Sequence, residues 1–177
     1  MRISGFLDVV GSRRMAVTVL ATITGLYYLI VGITNCTDTD TNRRGVTAVL
    51  SMRQTIHHPS IDWHAITNGT VVWIAYIIVV IWELLTALVL LSAAVAWIRT
   101  LFGRPAEALA TRLATLGWIM AILLFLGGFL TIGGEWFRMW ANKEVNASSA
   151  ALQNFLIASV GLILMYLPDR ASHTEPS

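Results

Sequence analysis

Four long apolar stretches constrain this chain more than any other feature of its sequence. They run over residues 15–34, 71–98, 113–134 and 150–167, and Glu83 is the only charged residue within them. A helix rises about 1.5 Å per residue, so about 20 helical residues cross the hydrocarbon core of a bilayer. Lipid offers no partners to backbone groups, which excludes open strands, and the stretches lack the alternation of a transmembrane barrel. The sequence therefore predicts an all-α polytopic membrane protein, a four-transmembrane-helix bundle.

The scarcity of charge supports this prediction and excludes other protein classes. Charged residues make up 12% and hydrophobic residues 56% of the 177 residues, whereas soluble domains carry about 25% charged residues. The basic residues form no cluster, so we expect no nucleic-acid partner. The expected partners are the lipid bilayer and either other membrane protein subunits or further copies of this chain. Cys36, the single cysteine, excludes an internal disulfide.

The stretches divide the chain into three parts. Residues 1–14 are predicted to form a cytoplasmic N-terminal flank, residues 15–168 a four-helix transmembrane domain, and residues 169–177 a disordered cytoplasmic tail. The first extracytoplasmic loop, about residues 35–70, is the largest. Four apolar residues in it follow a roughly helical spacing and predict a short helix on the membrane surface. They are Val46, Val49, Leu50 and Ile56.

The arginines that flank the stretches predict their orientation. Short cytoplasmic loops are enriched in Lys and Arg, and an inward N-terminus places most basic residues on the inner side. The inner residues are then Arg2, Arg13, Arg14, Arg99, Arg104, Arg112 and Arg170. Both termini are therefore expected in the cytoplasm. The first stretch is longer than the apolar region of a signal peptide and no small-residue cleavage site follows it, so we expect it to be retained.

Glu83 is the candidate functional acid, because it lies near the middle of the second stretch. A charged carboxylate there costs about 2.5 kcal/mol or more, so we expect it to face the bundle interior with a partner, or to be neutral. One interpretation is a proton-relay or ligand-anchoring group. The other, which we favour, is a hydrogen-bonded group that fixes helix packing. The candidate partners are Thr22, Thr24, Tyr27, Tyr28 and Thr131.

A second candidate is a polar and aromatic patch at the outer interface, formed by Glu135, Trp136, Arg138 and Trp140. The Glu and the Arg are three residues apart and would pair on one helix face, and tryptophan is enriched at membrane interfaces. The patch is either a surface that receives a ligand or partner, or a structural boundary of the third helix. We favour the structural boundary.

Three histidines in the first outer loop are weak metal candidates. His57, His58 and His64 lie near Asp62, and imidazoles with a carboxylate are zinc ligands. The spacing matches no metal motif, so we predict no metal site. The apolar stretches contain no histidine, which argues against a haem held between the helices.

Glycines recur at seven-residue spacing in two of the stretches. Gly25 and Gly32 are expected to share a face of the first helix, and Gly127 and Gly134 a face of the third. Glycine allows two helix backbones to approach closely. We therefore expect these positions to mark helix packing.

Several short motifs lie in the stretches and in the loops between them. They are Asn35 with Thr37-Asp38, Val49-Leu50-Ser51-Met52, Trp82-Glu83, and Gly133-Gly134-Glu135-Trp136-Phe137-x-Met139-Trp140. With these motifs the chain resembles, over about residues 15–169, the DUF2165 family of predicted small integral membrane proteins of bacteria. After Trp140 the chain departs from the family pattern. The resemblance implies four helices and a bacterial inner membrane, and it implies no activity.

The sequence contains no recognisable nucleophile with a base, metal motif or phosphate-binding loop, so we predict no catalytic residues and no cofactor. The favoured hypothesis is a non-catalytic subunit or interaction protein of a larger membrane assembly. One alternative is a small proton-coupled transporter or channel-like protein that uses Glu83. Another is a quinone-facing anchor subunit of a redox complex.

Overall fold

Four long apolar helices dominate residues 3–167, the part of the chain that the computed structural model describes. All four are long and apolar enough to cross a membrane. They are α2 (Arg13–Thr37), α4 (Gly69–Leu101), a third span (Glu107–Trp136) and α6 (Ser148–Tyr166). A short helix α1 (Ile3–Val10) precedes them, and α3 (Thr39–Leu50) lies between the first two. The described residues contain no strand, and the predicted all-α polytopic class is confirmed.

The observed helices extend past most ends of the apolar stretches, and polar side chains cap the starts of α2 and α4. The Ser12 hydroxyl accepts a hydrogen bond from the Met15 N–H, and Asn68 Oδ1 accepts from the N–H groups of Thr70 and Val71. Such caps satisfy N–H groups that the helix itself leaves unpaired. Arg2, Arg170 and the predicted tail, residues 169–177, lie outside the described residues.

The third span changes its helix type halfway. Its first part, α5 (Glu107–Ile122), is an α-helix, and its second part, Leu123–Trp136, is a π-helix that we name the π segment. A π-helix bonds each residue to the fifth one along and so holds more residues in each turn. Residues seven apart therefore no longer share a face, so the α-helical alignment that we expected for Gly127 and Gly134 is wrong.

Different interactions are found at the two ends of the bundle. At one end, which we call the terminal end, Arg13 Nη1 donates to the Met165 carbonyl at 2.7 Å and Arg14 forms an ion pair with Glu107 at 2.9 Å. At the other, the loop end, α3 packs on α4. Val49 of α3 belongs to a small apolar cluster there, whereas Ile56 lies beyond the helix and is exposed.

The two parts of the third span, α5 and the π segment, also pack against different helices. The α-helical part, α5, packs extensively against α4, whereas the π segment packs mainly against α6. The helix α4 also packs along α2. The second and third spans are therefore close at the terminal end and separate toward the loop end, which leaves space between them.

Candidate ligand cavity at the loop end

A cavity of about 510 Å³ occupies the space between the second and third spans at the loop end. We call it the loop-end cavity. Three elements supply most of its lining. From α4 come Ala75, Tyr76, Ile78, Val79 and Glu83, and from the π segment come Gly128, Phe129, Ile132 and Gly133. From α3 come Thr41, Asn42, Gly45, Val46 and Val49, so α3 covers the cavity on the loop side.

Glu83 is the buried acid of this cavity. Only 4% of it is accessible, and its Oε2 accepts a hydrogen bond from Asn35 Nδ2 at 2.6 Å. The Tyr76 hydroxyl, two turns away on α4, donates to the Asn35 carbonyl. This carbonyl belongs to the last turn of α2, where helix carbonyls lack regular partners. Asn35 therefore joins the end of α2 to α4 through both its side chain and its backbone.

The partner of Glu83 differs from the residues that the sequence suggested. The threonines of the first and third spans bond to carbonyls of their own helices, and the Tyr28 hydroxyl donates to Asn154. Glu83 lies near the middle of α4, but its bond to Asn35 places it level with the end of α2. The part of α4 from Gly69 to Glu83 therefore extends past the end of α2 at the loop end.

The carboxyl group of Glu83 is only partly satisfied within the described residues. Its Oε2 is bonded to Asn35, and no hydrogen bond to its Oε1 is found in this part of the chain. No arginine, lysine or histidine lines the cavity, and no cation of residues 3–167 forms an ion pair with Glu83. Glu83 and Tyr76 are thus the two buried polar residues of the cavity lining, and Glu83 is an acid without a counter-charge among the described residues.

The edges of the cavity lie on the outer surface of the bundle. Ile78 of α4 is 58% accessible and Ile132 of the π segment is 54% accessible, and both line the cavity. The cavity therefore opens to the bundle surface beside these two residues, between the second and third spans, and we call this the side opening.

The outer-interface patch does not form as one helical face. The π segment ends at Trp136, and Arg138 has a left-handed backbone conformation with φ of 52°. This turn takes Arg138 off the helix, and the structure has no ion pair between it and Glu135 among the described residues. The expected Glu135–Arg138 pair is wrong for this reason. Trp140 is half-exposed beyond the turn.

Trp136 instead joins a cluster with a histidine of the first loop. His64 Nε2 donates to the Trp136 carbonyl at 2.7 Å, and the two rings lie 4.7 Å apart. Of the other candidate ligands, His58 contacts Ser60 at 2.6 Å and His57 lies 3.4 Å from Asp62. Within residues 3–167, no three His, Cys, Asp or Glu side chains converge on a metal position.

The predicted packing glycines have different surroundings. A Cβ at Gly25 would lie 2.9 Å from Leu91, and one at Gly32 would lie 2.4 Å from Leu84. At Gly127 a Cβ would meet nothing within 4 Å, so packing within this chain does not require glycine there. A Cβ at Gly134 would lie 3.4 Å from the Phe129 carbonyl of its own π segment. The close approach of α4 and α6 to α5 depends instead on Gly117 and Gly161, which the sequence analysis missed.

Asn35 and Tyr76 are the cavity residues that the sequence analysis did not connect with Glu83. Tyr76 is seven residues from Glu83, which places both on one face of α4. Two polar residues on one face of an apolar helix indicate a shared polar environment, and this pattern could have connected Tyr76 with Glu83. No comparable signal identifies Asn35, because its position opposite Glu83 depends on how far α4 extends past α2.

Comparison with known proteins agrees with this architecture. A family model described as a predicted small integral membrane protein, DUF2165, matches residues 13–168, which include all four spans. No curated protein and no solved structure matches the chain. Because the match covers most of the chain, the protein belongs to the DUF2165 family of predicted small integral membrane proteins.

Proposed function

We propose that this chain is a non-catalytic membrane protein that binds an apolar or amphiphilic molecule, taken from the bilayer, in the loop-end cavity. The observation that supports it is the cavity itself, which combines a volume of about 510 Å³ with one buried acid. Small-molecule sites are typically clefts of about 300–1,000 Å³ with apolar walls and a few polar groups. The loop-end cavity has these features.

The side opening supports lipid as the source of the ligand. Ile78 and Ile132 border it and are exposed on the bundle surface, while α3 covers the cavity on the loop side. A molecule dissolved in the bilayer reaches such a cavity without crossing water. With the orientation predicted from the arginines, it enters from the outer leaflet of a bacterial inner membrane.

A binding role fits the lining better than an enzymatic one. None of the residues that line the cavity is a serine, cysteine, histidine or lysine. The hydrogen bond of Glu83 goes to an amide, Asn35, and not to a hydroxyl or thiol that it could activate as a nucleophile. The non-catalytic subunit or interaction protein expected from the sequence would thus have a small molecule as one of its partners. A larger assembly would then receive or sense that molecule through this chain.

Proton-coupled transport through Glu83 has less support from the described residues. Toward the terminal end the core next to α4 consists of Leu90, Ala94, Trp97 and Trp118. Thr86, one turn below Glu83, donates to the Trp82 carbonyl of its own helix. A proton path needs a chain of polar groups or water. The buried Tyr28 and Asn154 bond to each other in this core, but no hydrogen bond joins them to Glu83 within the described residues.

Two neighbouring glycines allow a matched test. At both Gly127 and Gly128 an added Cβ has room, but only Gly128 lines the cavity. We would reconstitute the protein in phosphatidylcholine nanodiscs with a long-chain alkane that carries a diazirine, and map the photolabel by peptide mass spectrometry. We expect label on Phe129, lost in Gly128→Leu and retained in Gly127→Leu. Equal labelling of Phe129 in both variants, or none in the unaltered chain, would refute the proposal.

A further inference from the structure

We infer that the loop-end cavity selects amphiphiles whose head group is a hydrogen-bond donor, with a primary amine preferred over an alcohol and a carboxylate excluded. This inference rests on the proposed function and adds the chemical class of its ligand. It follows from two features of the cavity. The acid is buried while the neutral polar residues of α3 lie at the cover, and the acid has no counter-charge.

The first feature is that the acid is buried inside the cavity. Glu83 is buried, whereas Thr41 and Asn42 of α3 lie at the loop-side cover of the cavity, where Thr41 is exposed and Asn42 half-buried. A chain that enters from the side with its head inward therefore meets Glu83. The neutral residues of α3 both donate and accept hydrogen bonds, so they do not discriminate between head groups.

The second feature is the missing counter-charge. Glu83 contacts an amide, Asn35, through one oxygen only, and no cationic side chain lines the cavity. Buried carboxylates are stable when a cation or several hydrogen bonds satisfy them. An ammonium head group supplies both the charge and the donors for the free oxygen, and a hydroxyl supplies one donor.

The same features disfavour ligands that only accept hydrogen bonds. A carboxylate or phosphate head would place a second negative group beside Glu83 with no arginine or lysine of the lining to compensate it. Like charges at short distance in a low dielectric repel strongly. An oxidised quinone offers only carbonyl acceptors, and the two donors beside the acid, Asn35 Nδ2 and the Tyr76 hydroxyl, already bond to Glu83 and to the Asn35 carbonyl.

The test uses three diazirine probes with identical chains and different heads: an alkylamine, an alkanol and an alkanoate. They are reconstituted with the full chain in phosphatidylcholine nanodiscs. The readout is label on Phe129 divided by label on Ile163, which is exposed on the surface of α6. This ratio corrects for unequal partitioning of the probes into the bilayer.

We expect the ratio to be at least about tenfold higher for the amine than for the alkanoate, since charge-assisted hydrogen bonds are the strong ones. The alcohol should be intermediate. In Glu83→Gln, which keeps the shape and an acceptor for Asn35, the preference for the amine over the alcohol should disappear. Alkane labelling of the same variant checks that the cavity is intact.

The outcomes separate this inference from the proposed function. Equal ratios for all three heads, with label lost in Gly128→Leu, would leave the binding cavity standing and overturn the selection of donors. An amine preference that survives Glu83→Gln would also overturn it, because the acid would not be the selecting group. Absence of cavity label from every probe would refute both.

Discussion

The two ends of this bundle differ in how tightly their helices pack. At the terminal end, Trp97 and Trp118 are almost completely buried among alanines such as Ala93 and Ala114. At the loop end, the helices separate around a cavity whose polar group is an acid. One end therefore holds the helices together, and the other leaves an open space beside an acid, which is where binding is expected.

The third span shows the origin of the difference. In its α-helical part, Gly117 lies so close to α4 that a Cβ would be 2.5 Å from Leu90. In the π segment, Gly128 lines the cavity and a Cβ there would meet only Leu124 at 3.8 Å. The glycine of α5 thus allows close contact with α4, whereas the glycine of the π segment borders open space. π-Helical turns occur often at functional sites, and here the π segment forms one wall of the cavity.

The strongest test of this contrast adds one methyl group at each end. A Cβ at Gly161 would lie 2.4 Å from the buried ring of Trp118. Because both α6 and the indole are fixed by packing, we expect Gly161→Ala to lower the free energy of unfolding by about 3 kcal/mol, the upper part of the usual range for overpacking. The measurement is denaturation of the purified protein in mild detergent.

Gly127→Ala is the matched control, since a Cβ there has no atom within 4 Å. It should change the free energy of unfolding by less than about 0.5 kcal/mol. Similar losses in the two variants would mean that the terminal end is not packed more tightly than the π segment, and the contrast would fail.

A second test addresses the loop end through Asn35. Asn35→Leu removes the hydrogen-bond donor from the buried carboxyl group of Glu83, and an unsatisfied buried polar group costs about 1–3 kcal/mol. We expect Asn35→Leu to lower the free energy of unfolding by about 2 kcal/mol, the middle of this range. In the double variant Asn35→Leu/Glu83→Leu, most of this loss should be recovered, because replacement of both partners by apolar groups leaves nothing unpaired.

The double-mutant cycle measures the coupling between the two side chains. A double variant as unstable as the sum of the single ones would show that the Asn35–Glu83 bond is not what holds the end of α2 to α4. The Tyr76 hydroxyl, which donates to the Asn35 carbonyl, would then be the main link.

The sequence predicted the fold well because lipid allows few alternatives. Long apolar stretches with one charge must form helices that pair their own backbone groups, and four such helices are present. The π segment could not be predicted, because the apolar pattern of residues 123–136 is the same for either helix type. Whether a backbone bonds to the fourth or the fifth residue depends on tertiary packing.

The candidate site was predicted only in part. Glu83 was identified because a lone carboxyl group in an apolar stretch is costly and needs a partner. Its partner was not identified, because α4 is 33 residues long and extends past the end of α2. The relative shift of the two helices, which a sequence does not reveal, brings Asn35 opposite the acid.

The smallest expected effect concerns the ion pair at the terminal end. Arg14 and Glu107 are 2.9 Å apart, but their side chains are 43% and 44% accessible. Exposed pairs contribute about 0–1 kcal/mol, since water and salt screen their attraction. Glu107→Gln should therefore lower the free energy of unfolding by no more than about 1 kcal/mol, and added salt should reduce the difference between variant and parent. Packing around Trp97 and Trp118, rather than this pair, then stabilises the terminal end. A loss as large as that of Gly161→Ala, measured in the same detergent, would reverse this assignment.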